Sequence, residues 1–321
     1  MADGYNCQSI QLARQNAPTL QSLTLISLFV ANFADLIQSP DGSYVSYPAL
    51  HTLKLHDETE DEIAKHVVFK DIVPFPRLRQ LCLFSCYPFG DDVLFRGNAA
   101  TLQCLGLVLS DLLVSIINEY NVFTPTSHPE LQYVQTRYPL DAMPLAFNTT
   151  ADSLQFMLSI GLGAPIRTIE GAESSVDLVP ALMSSYNFAC IQMLILPFFY
   201  PELWDVIALV KELPLLSDLQ TSVVVLGPMP IGITKSELPE YMITTYAPIG
   251  KRFRCWHFNY ECHDDDSNIA ECMFLLALVC PNFTLANPSI GDKTKYKRMV
   301  EAAITSDMLK KYASRLQCFL I

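Results

Sequence analysis

Pro48-Ala49-Leu50-His51-Thr52-Leu53-Lys54-Leu55 is followed, 28 residues later, by Pro76-Arg77-Leu78-Arg79-Gln80-Leu81-Cys82-Leu83. A third copy precedes both: Pro18-Thr19-Leu20-Gln21-Ser22-Leu23-Thr24-Leu25. All three share one phrase: Pro, any residue, Leu, two residues, Leu, one residue, Leu. Softer copies continue along the chain at Leu102, Leu131, Ile166, Ile191, Leu216 and Phe253, with weak candidates at Phe283 and Leu316. The first apolar positions lie 24 to 37 residues apart. Such spacing is near the period of solenoid repeats, with insertions between them.

The phrase has a direct physical reading. On a strand, Leu53 and Leu55 point one way, while Thr52, Lys54 and His56 point the other. Each strand is too short to bury its apolar side alone, so neighbours must stack. Helical patterns fall between the strands. Residues 57–68 open with Thr59 and Glu62 in capping-box spacing,. Segments 107–120, 201–213 and 270–279 are apolar in the same manner. Alternating strands and helices predict an α/β architecture with parallel strands. Strands sit about 4.8 Å apart, whereas helices need about 10 Å. The expected fold is therefore a curved leucine-rich-repeat solenoid, with parallel strands on the concave face and helices on the convex face. Residues 1–17 are expected to form an N-terminal helical cap or remnant, and residues 18–321 the irregular solenoid.

Composition agrees with a continuous interior. Of 321 residues, 50% are apolar and 17% charged, and mean hydropathy is +0.25. Disorder needs the opposite balance. The net charge of −12 argues against nucleic-acid binding through bulk electrostatics,. Two charge-free stretches, 15–34 and 178–201, are long enough for a membrane helix,. Prolines and polar residues interrupt both, and neither has a basic cluster to set orientation,. No membrane role is expected. The N-terminal residues have no signal-peptide pattern, so the ten cysteines read as reduced thiols of a cytoplasmic or nuclear protein,.

Candidate chemistry is sparse. The segment 255–266 gathers Cys255, His257, Cys262, His263 and three Asp, but in no metal-ligand spacing,. It reads as a strand followed by a solvated acidic loop. Ser127-His128 lies between two prolines without a nucleophile elbow,. Gly161-Leu162-Gly163 lacks the third glycine of a dinucleotide site,. The acidic run 57–62 suits a helix N-terminus. The basic residues from Lys293 to Arg315 suit a solvated helix face. No catalytic residue, metal or cofactor is implied.

The phrases resemble leucine-rich repeats of the irregular kind found in F-box/LRR proteins. Leu94-Phe95-Arg96-Gly97-Asn98, Leu203-Trp204-Asp205-Val206 and Tyr246-Ala247-Pro248-Ile249-Gly250 are similar to stretches of fungal proteins of that type. The resemblance runs from Pro18 to the C-terminus. It implies a non-enzymatic protein-interaction module, the substrate-recognition part of an SCF-type ubiquitin ligase receptor. Only 17 residues precede the first repeat, too few for an F-box. The receptor would therefore lack its F-box, and an SCF adaptor would bind only if one were supplied. The alternatives are a stand-alone repeat scaffold and, less favoured, an α/β enzyme with coincidental repeats. In the repeat register the partner would meet Thr52, Lys54, His56, Gln80, Tyr133, Gln135, Arg137, Thr168, Glu170, Asp218, Gln220, His257 and Asn259. Tyr133 and Arg137 have the side chains favoured at binding hot spots.

Overall fold

Proline in each phrase occupies a tight turn that feeds a strand. The Leu50 N–H donates to the Tyr47 carbonyl at 3.2 Å, and Leu78 to Phe75 at 3.1 Å. Leu216 does the same to Leu213 at 3.0 Å, and Phe283 to Cys280 at 3.2 Å. Pro48, Pro76, Pro214 and Pro281 therefore sit second in four-residue turns. Their fixed φ suits that position, and the missing N–H is not needed there. The residue before each proline is also buried: Ala17, Tyr47, Phe75, Leu213 and Cys280 are at most 3% exposed. The repeat thus begins one residue earlier than the Pro-x-Leu phrase, with an apolar anchor.

The computed structural model describes residues 3–26, 35–39, 41–56, 73–84, 100–108, 129–137, 165–170, 190–196, 200–221, 224–258, 266–284, 298, 300–302 and 304–316. The chain divides into two compact units, Met1–Ile166 and Arg167–Ile321. Both are α/β repeat arrays with all-parallel strands in sequential order.

Unit 1 contains β1 (Ser22–Ile26), β2 (Thr52–His56), β3 (Gln80–Phe84), β4 (Cys104–Val108) and β5 (Tyr133–Arg137). Their register matches the phrases residue for residue: Leu23, Leu53, Leu81, Leu105 and Val134 form one row. Leu53, Leu81 and Leu105 are completely buried. The leading residues Leu50, Leu78, Leu102 and Leu131 are too, whereas Leu20 and Leu23 of the first copy are half-buried. Helix α1 (Asp3–Gln15) stands before β1 and buries Ile10 and Ala13. It stops short of Pro18, because the residue before a proline avoids the helical region.

Unit 2 contains β6 (Thr168–Glu170), β7 (Met193–Leu196), β8 (Asp218–Thr221) and β9 (Cys255–Phe258). Helix α2 (Leu203–Glu212) joins β7 to β8, and α3 (Leu238–Tyr246) joins β8 to β9. Helices α4 (Asp266–Val279) and α5 (Ser306–Lys311) follow. The Glu202 N–H donates to the Asp205 carboxylate at 2.9 Å, which satisfies one free donor at the start of α2,. Leu203, Val206, Ile207, Leu209 and Val210 form its buried stripe,. From Ile269 to Val279, α4 buries every side chain except the half-buried Glu271, so it is a core helix,.

A second ladder reinforces both arrays at the start of the strands. In unit 1, His51, Arg79, Gln103 and Gln132 each donate N–H to the equivalent carbonyl of the preceding repeat, at 2.8 to 2.9 Å. The next residue in each case donates to the same oxygen, at 2.9 to 3.3 Å. In unit 2 the ladder runs through Arg167, Gln192, Ser217 and Arg254 to Thr284. The last step shows that the Phe283 copy is in register. Phe283 stacks on Phe253 with ring centroids 5.5 Å apart and planes 8° apart. Leu316 is buried in the same way but lies in no strand.

One sequence expectation changes. The helix expected over 107–120 does not begin at its first residues, because Leu107 and Val108 belong to β4. Leu107 is the third Leu of its phrase, and pairing with Thr136 of β5 takes precedence over its place in an apolar run. The inward position at Thr221 is polar and fully buried. It is matched by Trp256, whose indole N–H donates to Thr221 Oγ1 at 2.9 Å,. The helix expected over 57–68 lies outside the described residues. Among those described, no helix is long and apolar enough to cross a membrane.

Candidate partner-binding face

Strand register places the expected contact residues on the face opposite the leucines. In unit 1, Thr52 pairs with Gln80, Gln80 with Cys104, and Cys104 with Tyr133. Thr52, Gln80, Cys104 and Tyr133 therefore form one row of half-buried side chains. Thr52 Oγ1 lies 3.5 Å from Gln80 Oε1, and Gln80 Nε2 lies 3.8 Å from Cys82 Sγ. The next row is Thr24, Lys54, Cys82, Gly106 and Gln135. Here Cys82 and Gln135 are only 2% and 8% exposed. A Cβ on Gly106 would meet Cys82 Sγ at 3.1 Å and Gln135 Oε1 at 3.5 Å. The two side chains lean over the glycine and close that part of the row. Gln135 is thus on the expected face but buried, while Lys54 is half-buried. His56 pairs with Phe84, and Arg137 with Val108, at the far ends of the strands.

In unit 2 one row is Thr168, Met193, Asp218 and Cys255, and the other is Glu170, Ile195, Gln220 and His257. Ser217 Oγ lies 3.0 Å from the Gln192 carbonyl and 2.5 Å from the Asp218 carboxylate. Burial first, and then the neighbouring Asp218 carboxylate, push the Cys255 thiol above its ordinary value. A thiol so placed stays protonated and is a poor nucleophile. Asn259 lies outside the described residues. So do Cys262, His263, Ser127-His128, Gly161-Leu162-Gly163 and the acidic run 57–62. Among the described residues, no three His, Cys, Asp or Glu side chains gather as metal ligands would.

Cys82, Cys104, Gly106, Met193, Ile195 and Cys255 share these rows but were not anticipated as contacts. A polar-residue criterion passes over them. The alternation of the phrase alone identifies them, because every residue flanking a buried Leu on the strand faces outward. Of the basic tail, Lys311 has a defined role: its Nζ lies 2.9 Å from Glu240 Oε1, which also accepts from Tyr312 at 3.1 Å.

Compared with models of known protein families and with curated proteins, the chain matches none.

Proposed function

We propose that this chain is a non-enzymatic leucine-rich-repeat module that binds another protein across a curved strand face. One observation carries the reading. At the central inward position of the unit 1 strands the side chains stay apolar, as in Leu53, Leu81, Leu105 and Val134. The outward ones change freely, as in Thr52, Gln80, Cys104 and Tyr133. Packing holds the inner row to one chemistry, whereas the outer row is free to match an irregular partner surface. Solenoids use such strand faces for recognition. Tyr133 is the best hot-spot candidate, since a half-buried aromatic offers contact area at little entropic cost. Within this reading, the F-box/LRR resemblance favours the substrate-recognition part of an SCF-type receptor over a stand-alone scaffold. Among the described residues, six cysteines are thiols, which suits a cytoplasmic or nuclear setting,.

Site-specific photo-crosslinking tests the face. A crosslinker at position 52 or 133 should capture a discrete partner, and one at exposed Gln11 on α1 should not. Equal capture from Gln11 would remove the assignment. Recovery of partners without any SCF adaptor would leave the scaffold reading in place of the ligase one.

A further inference from the structure

Unit 2 carries a second surface, built from helices rather than strands. Trp204 in the first turn of α2 lies beside Tyr246 at the end of α3, ring centroids 6.5 Å apart. Tyr246 in turn meets Tyr241 edge to face at 6.2 Å. All three are half-buried, whereas Phe253, Phe274 and Phe283 of the same unit are wholly inside. The cluster already holds a proline segment of this chain. The Trp204 indole N–H donates to the carbonyl oxygen of Pro228 at 2.9 Å, at the head of Pro228-Met229-Pro230.

That contact has a recognisable chemistry. Proline fixes φ and removes a donor, and Met229, standing before a proline, is steered away from helix. Within the segment the Pro230 carbonyl accepts from the Ile233 N–H at 3.1 Å, and the Pro228 carbonyl is read by the indole N–H. Aromatic grooves capture extended proline-rich ligands in the same manner, at low entropic cost because the ligand is already stiff. Charge adds a preference. Glu202 and Asp205 lie beside Trp204 in the sequence, and the chain carries −12 overall. Ile231, just beyond the segment, is fully exposed, and Gly232 has nothing within 4 Å of its Cβ position. Little contact therefore holds the chain just beyond the segment, while Pro230 itself is half-buried.

We propose that Trp204, Tyr246 and Tyr241 form a docking site for a proline-rich segment of a partner protein with a basic residue beside its prolines. Segment 228–230 is the resident stand-in that such a ligand displaces. The site uses none of the strand-face residues, so it stands or falls apart from the proposed function.

Tryptophan fluorescence offers a clean test, because the chain has two tryptophans and Trp256 is buried. Acrylamide quenching therefore reports chiefly on Trp204. The full-length chain is titrated with a synthetic oligoproline peptide ending in arginine, and with a glycine-serine peptide of the same charge. The proline peptide should change quenching saturably, while the control should not. With labelled peptide, anisotropy should show binding about fivefold weaker in Trp204→Phe, the loss of one hydrogen bond. Binding should vanish in Trp204→Ala and tighten when Pro228 and Pro230 are both changed to Gly. Should Trp204→Ala fail to fold, Trp204→Phe and Tyr246→Leu decide the matter. No saturable signal, equal binding of the glycine-serine peptide, or unchanged affinity in both of those variants would overturn the proposal.

Discussion

Leu81→Ala probes the array at its best-packed point. Leu81 is completely buried, and so are its register neighbours Leu53 on β2 and Leu105 on β4. Truncation removes three buried carbons, worth about 2.4 kcal/mol at about 0.8 each. Neighbours pinned in two strand ladders collapse poorly into the space, so a cavity remains. Its cost raises the total to about 3–4 kcal/mol. Leu23→Ala is the internal control: it sits at the same place in the phrase and the same register row, but on β1 and half-buried. Its expected cost is about 1 kcal/mol, because much of its surface is already in water. Urea denaturation followed by far-UV circular dichroism compares the two. Equal losses would refute the claim that the phrase stabilises through stacking rather than through each strand alone. Leu81→Asp should go further and unfold unit 1, since its charge would be buried without a partner.

Gly250 has φ +53°, and a Cβ there would collide with Val210 Cγ1. Gly250→Ala should therefore lower the melting temperature far more than Gly232→Ala, where φ is +80° but the space is open. Similar losses in calorimetry would mean that backbone strain alone matters. Thr221→Val removes the oxygen that accepts from the Trp256 indole and should cost about 1–3 kcal/mol in urea melts,. A neutral result would show that the indole finds another acceptor. Hydrogen bonds from Lys311 and then Tyr312 hold the Glu240 carboxyl below its ordinary value. A depressed carboxylate adds stability above its unfolded value and loses it as pH falls through its folded one. Carbon NMR should find Glu240 titrating below 4.5, its ordinary value, and Lys311→Met should bring it back up. Titration at the ordinary value in the parent protein would dismiss the pair.

The strand arrays were legible because one short pattern serves two constraints at once. Leu at alternate positions sets the buried side, and proline two residues before the leading Leu sets the turn. Aligning Leu53 with Leu81 in the sequence is the same act as pairing β2 with β3. The apolar residue before the proline was harder to see, because Ala17, Tyr47, Phe75, Leu213 and Cys280 share burial but little else. The Phe283 copy was faint for a similar reason: its packing partner is the aromatic Phe253, where other copies stack aliphatic residues. Outward rows followed from alternation, yet their accessibility did not. Nothing in the spacing of Cys82, Gly106 and Gln135 indicates that two side chains close over a glycine. The Trp204, Tyr241 and Tyr246 cluster was invisible, since it depends on how the ends of two helices meet, and no local pattern encodes that.

The carbonyls of Gln21, His51, Arg79 and Gln103 each accept two N–H groups, both from the following repeat. Such bonding imposes no closure condition. A barrel must come round to its own first strand, but an array linked only to its neighbours has length as a free variable. Excising the stretch between two proline turns would bring the same donors to the same kind of oxygen. The span of the strand face can thus change in whole-repeat steps of about 4.8 Å. Evolution can resize this face without having to solve the fold again.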